Sequence, residues 1–309
     1  MSRKNLVAVA SETIDIINNG KYTVCGKEII LDSEKIRSVK VYSPEYSPQN
    51  FEKSDKKAEI IIKPAGSFET LDLCDIQGKT CVLNKVYSLK YQPKKFEKND
   101  KKAKIIVKPA GSFETLDLCD IQGKTCVLNF ASAKNPGGGF QNGAKAQEEQ
   151  LCYCSTLFAS IGSEKAFEMY KYNREHYNTL YSDYMLYSPD VMIIRDSEYK
   201  LLENPKNVSI ITAPAVNRNI ADSKHSNKEI FECMLNRAEK ILSITAENGN
   251  SNIVLGAWGC GVFRNSVEDI AEIFRILLFE KNYISLFDNV IFASFNDKNA
   301  DIFSKILSL

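Results

Sequence analysis

Apolar positions along the chain switch repeatedly between helical and strand spacing. MSRKNLVAVASETIDIINNG reads as an amphipathic helix ending near Gly20, too polar after its short apolar patch for a signal peptide. KTCVLN (124–129) reads as a strand, and a glycine-rich loop then leads into a helix from about Ala144 to Ile161. Leu151, Cys154, Phe158 and Ile161 form the apolar face of that helix. A tyrosine-rich, helical or irregular stretch continues to about Tyr187. VMIIRD (191–196) and VSIITAPA (208–215) read as strands. A long helix over about Asn227 to Glu247 turns Ile230, Leu235, Ala238, Ile241 and Leu242 inward. NIVLGA (252–257) is an apolar run of buried-strand type, followed by a second glycine loop. Ser266 with Asp269 resembles a capping box before the helix VEDIAEIFRILLFEK; NVIFASF (289–295) is a last strand and NADIFSKIL a closing helix. Strands alternating with helices predict an α/β layered sheet with ligands beyond the carboxyl ends of its strands.

Upstream, residues 40–84 and 85–129 are near copies of 45 residues, differing at eight positions and sharing KPAGSFETLDLCDIQGKTCVLN without change. Two copies this alike point to a tandem duplication inside one domain spanning 1–309, with one copy an insertion. Each copy reads as a strand (EIIIKPA or KIIVKPA), a helix or turn (GSFETLDLC) and a strand (KTCVLN). The second copy runs directly into the first glycine loop, so Lys124 to Asn129 is expected in the central slot of the sheet. A hybrid, with the early part of copy one docked and its later part looped out, is the alternative. Two identical strands facing one slot also offer a route to domain swapping in an otherwise monomeric protein. The connector bearing Lys94, Lys95, Lys98, Lys101, Lys102 and Lys104 reads most simply as a solvated link, with contact to a polyanionic substrate as the alternative.

Composition narrows the chemistry. Hydrophobic residues are 44% and charged residues 26% of the 309, and the net charge of +1 gives no global field toward nucleic acid or an anionic membrane. No run is long enough to span a membrane. Nine cysteines without CxxC spacing suggest buried, reduced thiols and a cytoplasmic protein, or a nuclear one in a eukaryote. With only His176 and His225 available, a histidine triad or multi-histidine metal site has little material, and acid–base work falls to carboxylates.

Two loops carry the candidate chemistry. The first, Asn129-Phe-Ala-Ser-Ala-Lys-Asn-Pro-Gly137-Gly138-Gly139-Phe140, lies between a strand and a helix, where glycine backbone can approach a ligand closely. The second, Gly256-Ala-Trp258-Gly259-Cys260-Gly261-Val262-Phe263-Arg264-Asn265, lacks the dinucleotide and P-loop signatures but can form a nest for a diphosphate. Trp258 reads as core and Phe263 as a site residue. Gln147-Glu148-Glu149 opens the helix after the first loop. Acids there complement the helix dipole, and neighbours diverge by about 100°, so the two carboxylates are expected to point different ways.

GGG, seven residues (FQNGAKA) and QEE together resemble the motif of poly(ADP-ribose) glycohydrolases. VLNFASAKNPGGGFQNGAKAQEEQLCYCSTLF, LYSPDV (186–191) and VLGAWGCGVFRN (254–265) are similar to the microbial branch of that family, over about residues 5–40 and 96–309. The resemblance implies a macrodomain-like three-layer fold with a mixed central sheet. It implies hydrolysis of ribose–ribose O-glycosidic bonds in poly(ADP-ribose), with ADP-ribose as product and neither metal nor cofactor. By match to the motif, Glu149 protonates the leaving oxygen, Glu148 holds ribose hydroxyls and Gln147 supports the site. Gly137, Gly138 and Gly139 clasp the ribose and phosphates. Gly259, Cys260, Gly261, Val262 and Phe263 hold the diphosphate and distal ribose, and Asn129 contacts the sugar. A bound diphosphate would raise the pKa of Glu149 and suit it to act as general acid. A non-enzymatic ADP-ribose reader and a mono-ADP-ribosyl hydrolase acting on protein or nucleic-acid adducts are the alternatives.

Overall fold

The computed structural model describes residues 1–47, 103–118, 123–294 and 296–308. Helix α1 (Arg3–Asn19) is capped by the Ser2 side chain and stops at Gly20. A hairpin of β1 (Lys21–Val24) and β2 (Lys27–Ile30) and the short α2 (Ser33–Arg37) follow, packed on the end of α1 through Ile17, Tyr22 and Ile36. The repeated region contributes β3 (Lys40–Tyr42), β4 (Lys104–Lys108), α3 (Ser112–Leu118) and β5 (Thr125–Ala131). Beyond it come α4 (Gln147–Cys154), α5 (Leu157–Ile161), α6 (Phe167–Glu175), β6 (Met185–Arg195), β7 (Leu201–Pro214) and α7 (Arg218–Ala221). The chain ends with α8 (Asn227–Glu247), β8 (Asn252–Gly256), α9 (Val267–Arg275), β9 (Asn289–Ala293) and α10 (Asp297–Ile306).

Among the described residues, seven strands form one sheet in the order β3-β6-β7-β5-β8-β9-β4. β7, β5, β8, β9 and β4 run parallel, whereas β6 is antiparallel to both β7 and β3. Strand alternation divides the interior into two layers. Cys126 and Leu128 of β5 face Ile241 of α8 and Phe274 of α9, while Val127 faces the layer that holds Leu151, Leu157 and Tyr170. Each such fully buried aliphatic side chain contributes about 1.5–3 kcal/mol. The result is a mixed sheet between helical layers, a macrodomain-like arrangement.

β5 of the second copy sits at the centre of the sheet, with β7 on one side and β8 on the other. β3 belongs to the first copy, and β4 and α3 to the second, so the sheet draws on both. The segments EIIIKPA and KTCVLN of the first copy lie outside the described residues, as does the lysine-rich connector up to Lys102.

Several boundaries differ from the sequence pattern. The helix expected from Ala144 to Ile161 starts at Gln147 and breaks after Cys154. Ser155 is extended and bridges to Ile193, and the Thr156 N–H donates to the Met192 carbonyl at 2.9 Å. Pairing with β6 thus overrides a helical period that continues through the break. β6 begins at Met185, inside the stretch read as helical or irregular, because Met185, Leu186 and Tyr187 are buried on alternate faces and give no helical stripe. The helix after Ser266 passes into a π-helical turn at Ile276–Glu280. Of the described cysteines, Cys126, Cys152 and Cys154 are buried, but Cys25 is exposed in the β1–β2 turn, contrary to the expectation of burial for the whole set.

Candidate active site

The β5–β8 ladder ends at the pair Val127↔Val254, while β5 continues beside β7 to Ala131. Gln147 fills the fork. Its Oε1 accepts from the Phe130 N–H at 2.8 Å, and its Nε2 donates to the Leu128 carbonyl at 2.8 Å and to Ser112 Oγ at 3.1 Å. The first turn of α4 is thereby fastened to the carboxyl end of the central strand. The Gln147 amide is committed to protein groups.

This fastening fixes the two acids. Glu148 is buried, its Oε1 accepting from Asn129 Nδ2 at 3.2 Å and its Oε2 from the Ser132 N–H at 2.8 Å. Burial pushes its carboxyl up to about 8, with the neighbouring Glu149 adding to the shift and hydrogen bonds from Ser132, Asn129 and Gly137 opposing it. Glu149 Oε1 accepts from the Gly139 N–H at 2.8 Å, while its buried Oε2 has no partner among the described residues. The expected divergence of the two acids is therefore corrected. A Cβ on Gly138 would lie 3.1 Å from Glu148 Oε2 and closer still to Glu149 Oε1, so both carboxylates reach the same glycine. Their Cα positions diverge around the helix, but side chains with three rotatable bonds bend toward the loop N–H groups.

Gly137 (φ 69°) and Gly138 (φ 58°) are both in the left-handed region, which a side chain would strain. Phe140 beyond them is buried and anchors the loop on Tyr153 and Phe158. Asn129 is fully buried at the end of β5. Its Nδ2 also donates to Thr212 Oγ1 at 3.2 Å, and its Oδ1 has no partner among the described residues.

The second loop leaves β8 at Gly256. Trp258 is core, as expected: it is fully buried and its Nε1 donates to the Ala213 carbonyl at 3.0 Å. The loop's carbonyls are held from behind. Buried Asn265 donates through Nδ2 to Val216 O at 2.8 Å and Gly259 O at 3.2 Å. Asn219 Nδ2 donates to Val262 O at 2.8 Å, the Arg218 N–H to Phe263 O at 2.9 Å and the Arg264 N–H to Gly261 O at 3.1 Å. With carbonyls so engaged, the N–H groups of Gly261, Val262 and Phe263 have no acceptor among the described residues. Consecutive free N–H groups form an anion-binding concavity. Cys260 is partly buried with its Sγ against the Trp258 and Ser266 carbonyls, and burial pushes its thiol up to about 12. Half-buried Phe263 faces Tyr181 at 6.4 Å between ring centroids.

Sequence reasoning missed Tyr181, Asn219 and Asn265. The segment APAVNRN follows β7 at the same end of the sheet as the two glycine loops, which was the available signal for Asn219. Tyr181 also lines a separate cavity of about 250 Å³ with Tyr172, His176 and Asp183; it contains neither Glu148 nor Glu149. Among the described residues no group of three His, Cys, Asp or Glu side chains gathers as a metal site, and no helix is long and apolar enough to cross a membrane.

The catalytic-domain profile of microbial-type PARG, the poly(ADP-ribose) glycohydrolases, matches residues 10–196 of this chain. The chain belongs to this family. It is a glycosidase of the poly(ADP-ribose) glycohydrolase class. The poly(ADP-ribose) glycohydrolase of Thermomonospora curvata is 28% identical in sequence and superposes with a TM-score of 0.76, over 98% of this chain and 99% of that one. The same bacterial protein bound to the inhibitor ADP-HPD gives a TM-score of 0.75 at 28% identity, with the same coverage of 98% and 99%. The Deinococcus radiodurans glycohydrolase in complex with ADP-ribose is 37% identical, with a TM-score of 0.63 over 68% of this chain and 86% of that one. No curated protein matches the sequence.

Proposed function

We propose that the protein hydrolyses the ribose–ribose O-glycosidic bonds of poly(ADP-ribose) and releases ADP-ribose, with Glu149 as general acid. The observation that carries this reading is Glu149 Oε2, buried without a protein partner among the described residues, on a carboxyl whose other oxygen is seated against the glycines of the first loop. A buried carboxyl oxygen left unpaired is costly, and a substrate oxygen placed there would satisfy it. The activity of the family, and the ADP-ribose and inhibitor complexes of the structural neighbours, support the choice of substrate.

The free N–H groups of Gly261, Val262 and Phe263 then take the diphosphate, and Phe263 places the distal ribose. Glu148, Asn129 and the glycines 137–139 surround the ribose that bears the scissile bond. Glu149 gives its proton to the leaving ribose oxygen as the anomeric C–O bond breaks through an oxocarbenium-like state. Water supplies the new hydroxyl on the anomeric carbon and surrenders one proton, so the carboxyl returns to its starting state.

Free ADP-ribose released from poly(ADP-ribose) tests the reading. Glu149→Ala is expected to lower release by about 10²–10⁴-fold, the usual range for a general acid, while retaining ADP-ribose binding. A folded wild-type protein that binds but releases nothing is a reader. Release only from singly modified targets makes it a mono-ADP-ribosyl hydrolase.

A further inference from the structure

The loop that seats the acids continues onto a surface with no part in the hydrolytic step. Lys134 lies between Ser132, whose N–H holds Glu148, and the glycines beside Glu149. Arg174, near the end of α6, donates through Nη1 to the Lys134 carbonyl and so joins α6 to this loop. The Arg174 guanidinium carbon also lies 4.6 Å from the ring centroid of Phe167, two turns earlier on α6. Phe167 is 47% exposed, whereas Met169 and Tyr170 of the same helix are fully buried.

Charge around this pair is unbalanced. Among the described residues, neither Lys134 nor Arg174 has a carboxylate within ion-pair distance. The nearby acids of α6 are engaged, Glu168 accepting from Tyr184 Oη at 2.8 Å and Glu175 pairing with Lys171 at 3.9 Å. Two unpaired cations and an exposed ring are therefore joined, through the Lys134 carbonyl, to the loop whose Ser132 and Gly139 N–H groups hold the two acids, on a chain whose net charge is only +1.

Resting on the proposed hydrolysis, we infer that Lys134, Arg174 and Phe167 form a subsite for the ADP-ribose unit on the leaving side of the scissile bond. The leaving group is the ribose hydroxyl of a unit that carries its own diphosphate and adenine. Lys134 and Arg174 match the diphosphate, and the Phe167–Arg174 pair presents a platform for the base. Cations interleaved with aromatic rings are the general means of holding a single-stranded, base-bearing polyanion. The subsite makes the enzyme prefer polymer over substrates with small leaving groups.

The test compares long poly(ADP-ribose), ADP-ribose bearing a small aryl leaving group, and free ADP-ribose on Phe167→Ala, Arg174→Gln and Arg174→Lys. Phe167→Ala and Arg174→Gln are expected to raise KM for the polymer about tenfold, the scale of one base stack or one neutralised phosphate. Turnover of the aryl substrate and affinity for ADP-ribose stay within about twofold of wild type on that reasoning, because neither ligand reaches the subsite. Arg174→Lys retains the salt dependence of polymer affinity, and Arg174→Gln reduces its logarithmic slope by about 0.7 for each phosphate it no longer neutralises. A parallel fall with both substrates, no change with polymer, or equal competition by single-stranded DNA overturns the subsite. A wild type that binds ADP-ribose and cleaves the aryl substrate shows that the hydrolase reading stands even then. Failure of ADP-ribose binding in wild type removes both.

Discussion

Among the carboxyls of the described residues, Glu148 is the one whose ionisation differs most clearly from the ordinary, pushed up by burial to about 8 in the folded chain against 4.5 for a free side chain. Between these values the unfolded chain has released the proton and the folded chain still holds it. Stability is therefore expected to fall as pH rises from about 4.5 to about 8 and to level off above, the sign set by proton linkage. Glu148→Gln cannot ionise and should flatten this part of a plot of Tm against pH; a variant curve parallel to wild type over the whole window would contradict the assignment. At this scale the sequence was partly legible. The QEE triplet and its distance from GGG marked both acids, because that spacing lies within one loop and one helical turn. The Gln147 contacts to Leu128 and Phe130, and the meeting of both carboxylates at Gly138, depend on rotamers and on a strand fork that local spacing does not encode.

Elements showed themselves where one face alone is buried. α8 has the boundaries its pattern predicts, since its capping box at Ser226 and Glu229 and its apolar stripe agree. The helix broken at Ser155 did not show itself, because the stripe through Leu151, Cys154, Phe158 and Ile161 serves one long helix as well as two short ones. The second glycine loop was legible as a candidate anion nest, but not the hydrogen bonds that hold its carbonyls. Asn265 and Asn219 engage its Gly259 and Val262 carbonyls and leave the N–H groups of Gly261, Val262 and Phe263 without an acceptor among the described residues. Asn265→Ala is accordingly expected to weaken ADP-ribose binding about tenfold, the value of one or two net hydrogen bonds, with kcat altered less than KM. Titration calorimetry beside initial rates checks this. A fall confined to kcat would place Asn265 elsewhere in the mechanism.

Across the whole molecule, the repeat is the feature that sequence made plainest and left least resolved. Near-identity of the copies gave no basis for ranking one strand above the other. Continuity with the first glycine loop was the only local cue for the central place of Thr125–Asn129, and β3 shows that the sheet uses the earlier copy as well. Deleting residues 40–84 leaves Lys85-Val86-Tyr87, the same three residues as β3, ahead of β4; deleting 85–129 joins Asn84, the counterpart of Asn129, to Phe130. Both shortened chains are expected to fold and to release ADP-ribose, since the entropy of closing a connection changes only slowly with its length. Soluble yield, thermal melting and ADP-ribose release measure it, and loss of folded protein from both deletions would mean that the extra copy has become structural.

The meeting of two carboxylates at Gly138 also constrains how this protein can change over generations. Every amino acid one base away from a glycine codon brings a Cβ, and at this position a Cβ enters the space of Glu149 Oε1 at a backbone angle that disfavours it. No graded series of point mutations is open there. A lineage either keeps the glycine or, in a single step, displaces both carboxylates seated against it. Under the role proposed for Glu149, the passage from hydrolase to a protein that no longer hydrolyses is one mutation wide at this codon.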